Sequence, residues 1–263
     1  MTATYTTFEI ESRGDAQWLT LNRPETMNAM NPAMVEELSR YFTALEADRG
    51  VRVVVMRGRG RSFCSGLDLR EIGARLDGLT GEGVYAEQRR LSRLIIAMRR
   101  CPQPIVCLLH GSASGGGFAL ALAADIRLAT PDARMNAAFI QVGLTGCDVG
   151  VSYHLPRLVG ASVAAELLMT GRFLGAERAR ELGLVSAVCE PEAIEAAATE
   201  LVSELLRANP LALGLTKHGI QSSLSAATLE AAVEVEDRQQ AMLVNMPDFR
   251  ARVRAFLAKM KGG

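Results

Sequence analysis

The sequence predicts an α/β fold, and three observations carry that prediction. Short β-branched or apolar runs alternate with helix-period segments in the N-terminal part, which is typical of strands joined by helices. Two of these runs lead into glycine-rich turns. From about residue 162 the pattern is helical almost to the C-terminus. A chain of 263 residues accommodates one large α/β domain, or a main domain with a helical appendage.

The start of the chain predicts a strand, a capped helix and a second strand. Residues 18–21 are typical of a strand that ends in the turn Asn22-Arg23-Pro24. Asn31 followed by Pro32 indicates a helix start, because asparagine caps free amides and proline suits the first helical position. Apolar residues then recur at helical spacing to about residue 47. The β-branched run at 51–56 predicts a buried strand.

The middle of the chain is charged and rich in glycine before the next strands begin. Residues 70–83 show no clear period, so we expect a mobile surface excursion there. The next predicted elements are a basic helix over 87–98, a strand over 105–109, a glycine-rich turn over 111–117, a helix over 118–124 and a strand over 126–129. Later helices are expected over 162–169, 176–182, 191–206, 210–221, 226–243 and 247–261. The glutamate- and alanine-rich stretch at 190–200 is the expected boundary between a core, 1–190, and a helical region, 191–263.

Composition excludes several classes of function. The formal net charge of +0 gives no global field for nucleic acid or an anionic membrane. The five cysteines form no CxxC pair and the three histidines are scattered, so we expect neither disulfides nor a metal site. The N-terminus resembles no signal peptide, and no apolar run approaches the ~20 residues that span a bilayer. We therefore expect a cytoplasmic protein.

A glycine-rich turn at 109–118 lies between a predicted strand and a predicted helix. It lacks the lysine of a phosphate-binding loop and the third glycine of a dinucleotide-binding loop. It is not GxSxG either, because Gly111 and Gly115 bracket Ala113. Free amides at a helix N-terminus would stabilise negative charge, although the same turn could simply let a strand and a helix pack closely.

A second turn, at 61–69, follows a buried strand in the same way. Two such turns can place one amide each on either side of a carbonyl oxygen. That arrangement is an oxyanion hole, and it suits thioester chemistry in which an enolate develops.

Four segments, in order, resemble the enoyl-CoA hydratase/isomerase (crotonase) superfamily. They are Leu21-Asn22-Arg23-Pro24 with Met27-Asn28-Ala29-Met30, then the 62–69 loop, the 110–117 loop with Ala124-Asp125-Ile126-Arg127, and Leu168-Met169-Thr170-Gly171 with Gly183-Leu184-Val185. Each motif alone is weak, whereas their order and spacing are specific. The resemblance implies a spiral of ββα repeats followed by a C-terminal helical trimerisation region, assembled as a homo-trimer or hexamer.

The resemblance also implies site residues. The two oxyanion amides fall on Leu67 and Gly116. Contacts to coenzyme A, which is part of the substrate rather than a separate cofactor, are implied for Met27, Ser65, Asp68 and Leu69. In the last helix, Phe256 and Lys259 are implied to reach coenzyme A bound to a neighbouring subunit.

The sequence departs from the hydratase pattern at both positions where that family has a glutamate. These positions carry Ala119 and Phe139, neither of which can move a proton, and Phe139 would instead line the acyl pocket. Asp148 resembles an aspartate that moves a proton in dienoyl-CoA isomerases, although one extra residue precedes it and the partner carboxylates are missing. The alternative for Asp148 is a loop-capping role.

These residues predict an enzyme that acts on enoyl-CoA, either a lyase or an isomerase, through a backbone oxyanion hole. Asp148 is the best candidate for proton transfer. The alternatives are another crotonase reaction such as double-bond isomerisation, or a catalytically weak member that only binds acyl-CoA. A nucleotide-binding α/β protein is disfavoured, because no phosphate loop is complete.

Overall fold

Nine strands and eleven helices form the described part of the chain, which is residues 4–261 of a computed structural model without the side chains of Lys259 and Lys261. The strands are β1 Phe8–Arg13, β2 Ala16–Leu21, β3 Val53–Gly58, β4 Ile105–Leu109, β5 Ser112–Ser114, β6 Ile126–Ala129, β7 Arg134–Asn136, β8 Leu174–Gly175 and β9 Ala187–Val188. The helices are α1 Pro32–Leu45, α2 Leu69–Leu76, α3 Gly81–Arg100, α4 Gly116–Ala123, α5 Val151–Val159, α6 Ala161–Thr170, α7 Ala176–Glu181, α8 Ile194–Arg207, α9 Pro210–Ser223, α10 Leu229–Val244 and α11 Pro247–Lys261. Two short 3-10 helices cover Pro24–Thr26 and Ala138–Val142.

The strands form two sheets, and the predicted α/β class is confirmed. The larger sheet has the order β1-β2-β3-β4-β6-β9, in which only β1 and β2 are antiparallel. The smaller sheet has the order β5-β7-β8. The strand β4 belongs to the large sheet and β5 to the small one. The chain therefore passes from one sheet to the other at the glycine turn between these strands, next to the predicted site.

Both faces of the large sheet are covered. In β3, Val54 and Met56 belong to the main core with α1, α3 and α4, whereas Val53 and Val55 face a second core. Alternate residues of a strand point to opposite faces, so a continuous apolar run fits a strand buried on both sides. Ala198 and Val202 of α8 complete the second core. The boundary at residue 190 stays a prediction.

The expected mobile excursion at 70–83 was wrong, because these residues form α2 and the start of α3. Asp68 caps α2 by accepting a hydrogen bond from the Glu71 amide at 3.3 Å, and Thr80 caps α3 through the Gly83 amide at 3.3 Å. None of the α2 residues is buried. Leu69 and the half-buried Ile72 and Leu76 do recur at helical spacing, but three apolar residues among charged ones are a weak signal.

Further elements were not predicted, among them β1 and α5. The strand β1 pairs with β2 from Phe8–Leu21 to Arg13–Ala16, and most of its charged residues face outwards. The helix α5 contains Pro156 near its end, a residue that argues against helix in a sequence pattern. No helix in the described part of the chain is both long and apolar enough to cross a bilayer.

Asn28 holds together the loops that lead to the site. Its side chain is fully buried, accepts a hydrogen bond from the Arg23 amide at 2.9 Å, and donates to the carbonyl oxygens of Arg59 at 2.9 Å and Ser62 at 2.8 Å. Its φ of 56° lies in the left-handed region, which asparagine tolerates better than most residues. One side chain therefore fixes the loop after β2 against the loop after β3.

We expect Asn28→Ala to lower the free energy of unfolding by about 3 kcal/mol, because it leaves buried backbone groups without partners. Asn22→Ala is the matched control, since its side chain makes one exposed hydrogen bond, to Glu9. That control should change stability by less than about 0.5 kcal/mol. Urea unfolding measures both, and equal losses for the two variants would contradict the role given to Asn28.

His154 on α5 is kept neutral by its surroundings. Burial lowers its pKa to about 4, and the positive charges of Arg99, Arg127 and Arg157 act in the same direction. An unfolded histidine titrates near pH 6.5. Between these two values the unfolded chain binds a proton at this position and the folded chain does not, so stability must fall as the pH drops from about 6.5 towards 4.

We expect His154→Gln to remove this part of the pH dependence. Thermal unfolding of the two proteins should differ by a constant amount above pH 7, and the difference should shift in favour of the variant as the pH falls to 4. The carboxylates contribute equally to the pH dependence of both proteins, so the difference between the two stability curves does not contain their contribution. Curves that stay parallel over the whole range would show that the histidine does not stay neutral in the folded protein.

Candidate active site

The loop after β3 carries Leu67 and is joined to the loop after β2 by paired backbone bonds. The Met30 amide donates to the Gly66 carbonyl at 2.7 Å, and the Asp68 amide donates to the Met30 carbonyl at 2.9 Å. These two bonds bracket Leu67. Its own amide has no hydrogen-bond acceptor within residues 4–261, so it is free to donate to a ligand.

Gly116 is the first residue of α4. Gly115 before it has φ 49° and ψ −115°, and its amide donates to the Asn136 carbonyl at 2.9 Å. The first amides of a helix have no partner within the helix. In the described structure the Gly116 amide meets no acceptor either. The helix begins two residues earlier than the predicted 118, which places this amide at its N-terminus, where the helix dipole favours negative charge.

The loops that carry Leu67 and Gly116 touch each other. A Cβ atom added to Gly66 would lie 3.6 Å from the Gly116 nitrogen, and one added to Gly116 would lie 3.5 Å from the Leu67 Cδ2. A Cβ atom on Gly117 would lie 2.2 Å from the Cys64 carbonyl oxygen. The glycines of both turns are therefore needed for close approach of the backbones.

A narrow cavity of about 10 Å³, room for about one water, lies at this contact. Leu67, Gly116, Phe139 and Asp148 all line it. The remaining lining residues are apolar: Met30, Leu91, Leu94, Ile95, Leu120 and Val149. Four of the residues singled out in the sequence thus meet around one space, and Asp148 is the one polar side chain among those that line it.

Asp148 is held on two sides. The side-chain amide of Gln88 on α3 donates to its Oδ1 at 2.5 Å, and the Val149 amide donates to the same oxygen at 2.8 Å. Val149 has φ 37°, which is unusual for a β-branched residue. Gln88 was missed in the sequence, because a contact between residues 60 positions apart leaves no local signal.

The side chains at the two positions where the resemblance implies a glutamate in hydratases cannot transfer a proton. Ala119 is buried in α4, and Phe139 is 5% exposed. The ring of Phe139 would lie 3.5 Å from a Cβ atom on Gly115, so it packs against the turn that precedes Gly116. Nearby Cys64 is no substitute nucleophile, because burial raises the pKa of its thiol to about 12.

The residues implied as contacts to coenzyme A lie on the loops around this cavity, apart from Lys259, whose side chain is outside the described residues. Met27 is half-buried with φ 55°, and the Ser65 amide donates to its carbonyl at 3.0 Å. Leu69 is 59% exposed at the start of α2. Asp68 is engaged with Arg23 at 3.2 Å in addition to capping α2, so its carboxylate has a structural role.

Comparison with known proteins gives the family. Residues 14–262 match the family model described as enoyl-CoA hydratase/isomerase. A probable enoyl-CoA hydratase of Mycobacterium bovis is 39% identical over 85% of this chain and 80% of its own length, and the 1,2-epoxyphenylacetyl-CoA isomerase of Escherichia coli is 34% identical over 92% and 91%. The crystal structure of a Mycobacterium smegmatis enoyl-CoA hydratase superposes with a TM-score of 0.90 at 31% identity, over 97% of both chains. The order of the motifs, the fold and these matches agree, and the chain belongs to the enoyl-CoA hydratase/isomerase family.

Proposed function

We propose that the chain shifts a double bond in an enoyl-CoA thioester by proton transfer within the narrow cavity. The observation that carries the proposal is the composition of that cavity: two residues with unpaired amides and a single carboxylate within apolar walls. Unpaired amides aimed at a thioester oxygen stabilise an enolate, and one such donor is typically worth ~3–4 kcal/mol. Coenzyme A enters as part of the substrate.

In the proposed reaction, the Asp148 carboxylate removes a proton from a carbon of the acyl chain. The electron pair moves towards the thioester oxygen, where the amides of Leu67 and Gly116 hold the negative charge. Asp148 then returns the proton to a different carbon. The double bond has moved, with no net oxidation and no water consumed. Gln88 fixes the carboxylate through its bond to Oδ1, which leaves the second oxygen for the proton.

Isomerisation is favoured over hydration by the same cavity. Addition of water requires groups that hold and split it, and the two corresponding positions carry Ala119 and Phe139. The space accommodates about one water and its exposed surface is apolar, whereas a well-held water usually has two to four polar partners. Relatives named as isomerases are consistent with this choice, among them the 1,2-epoxyphenylacetyl-CoA isomerase of Escherichia coli and the trans-2-decenoyl-[acyl-carrier-protein] isomerase of Streptococcus mutans.

We expect Asp148→Asn to lower the rate of double-bond migration by about 10²–10⁴-fold, the usual contribution of a general acid or base. The variant keeps size and hydrogen bonding, so the Michaelis constant should change little. Asp77→Asn, an exposed acid outside the cavity, is the control and should leave the rate unchanged. Hydration and isomerisation are followed together by the absorbance of the conjugated thioester. Rapid hydration that survives the substitution would overturn the mechanism.

We further propose that the protein is a homo-trimer, or a hexamer built from two trimers. Large apolar side chains stay exposed on the last two helices, among them Leu229 at 75% and Phe256 at 65%. Exposed apolar surface of this kind usually marks an interface. Light scattering at micromolar concentration should give a mass of three or six chains of 28.3 kDa. A monodisperse monomer would contradict this assembly.

A further inference from the structure

A second cavity, of about 570 Å³, lies between α3, α5 and α9, with the start of β6 as its floor. It is adjacent to the narrow cavity, because Ile95 lines both and Gly150, two residues after Asp148, lines the larger one. Its volume is within the ~300–1,000 Å³ range of small-molecule sites. The larger cavity thus lies next to Ile95, which also lines the cavity that holds Leu67 and Gly116.

The larger cavity is strongly basic. Its positively charged lining residues are Arg99, Arg100, Arg127, Arg157 and Lys217. The one acid in the lining, Asp125, is shared by Arg99 at 2.8 Å and Lys217 at 2.9 Å. No carboxylate of the described residues lies within 4 Å of the remaining three guanidinium groups. The lining therefore carries an excess of positive charge.

Arg127 makes this excess most apparent. It is 6% exposed, and its hydrogen bonds go to backbone carbonyls, among them Leu184 at 2.7 Å and Ala124 at 2.6 Å. Burial lowers its pKa, which reflects the loss of solvation of its charge. The nearby Asp125 acts on this pKa in the opposite direction, but Arg99 and Lys217 already share its carboxylate, and a buried cation without a close counter-ion is costly. An anion in the neighbouring space would offset that cost.

Arg157 is the residue best arranged to receive such an anion. Its guanidinium group lies 3.7 Å from the centre of the Tyr153 ring, and Nη1 donates to the Tyr153 carbonyl at 2.7 Å. The ring contact and the hydrogen bond hold the guanidinium group in place, and its other donors are unused in the described structure. Guanidinium groups held in this way bind carboxylates through two parallel hydrogen bonds.

We infer that the larger cavity binds a carboxylate at the far end of the acyl group, so that the preferred substrates are coenzyme A monothioesters of dicarboxylic acids. The inference rests on the proposed function. The apolar side chains of Leu122, Leu158 and Leu213 in the same lining suit the methylene chain, and the cations suit its charged end. An acyl chain that ends in a methyl group would make only the apolar contacts.

The test compares saturated thioesters, which bind without turnover. Calorimetry measures the affinity for monothioesters of the four-, six-, eight- and ten-carbon dicarboxylic acids, each against the acyl-CoA of equal length that ends in methyl. We expect at least one dicarboxylic thioester to bind about tenfold more tightly than its partner, since charge-assisted pairing is strong. Arg157→Gln should lower the affinity for the dicarboxylic thioester to that of its methyl-terminated partner. Arg180→Gln, an exposed arginine outside both cavities, should preserve the preference.

Several results would overturn the inference and leave the proposed function intact. These are equal affinities within every pair, or a preference that survives Arg157→Gln. A free dicarboxylate that binds through Arg157 without competing with any acyl-CoA would show that the anion comes from a separate molecule, which also overturns it. Failure of every acyl-CoA to bind would instead contradict the proposed function.

Discussion

The contact between the loop at Cys64 and the turn before α4 is the constraint on which the site depends. Cys64 and Ala113 form an isolated bridge, in which the Cys64 amide donates to the Ser112 carbonyl and the Ser114 amide to the Cys64 carbonyl, both at 3.0 Å. Gly117 has no room for a side chain against this carbonyl. The amides of Leu67 and Gly116 each lie three residues after this bridge. A side chain that pushed the two loops apart would therefore also separate the two donors.

In this arrangement the backbone and the side chains would contact different parts of the substrate. The proposed oxyanion hole uses amides, whose position depends on the fold rather than on side-chain identity. The walls of both cavities use side chains, which can change without moving the amides. A carboxylate in apolar walls and a basic chamber beside it are therefore compatible with the same loops. This division explains how a fold can keep thioester chemistry while the reaction and the acyl group vary.

Particular residues show where local patterns are informative. Asn31 and Pro32 begin a helix as expected, since a cap satisfies amides only a few residues away. The ion pair of Asp68 with Arg23 could not be foreseen, because Arg23 comes from a distant loop, and the ligand contact implied for Asp68 stays a prediction. The helix at Leu69–Leu76 was missed because only three of its eight residues are large and apolar. Local hydrogen bonding can be foreseen from neighbours in sequence, whereas partners brought by other loops cannot.

The sequence by itself determined the order of most helices, four of the nine strands and the two glycine turns. Each of these depends on residue type within a short window, where periodicity and backbone freedom act. Only the tertiary structure decided that Leu67, Gly116, Phe139 and Asp148 line one cavity and that Gln88 holds the aspartate. It also decided that cations from three separate helices surround one space. Convergence of this kind is set by the packing of elements far apart in the chain, which no local pattern records.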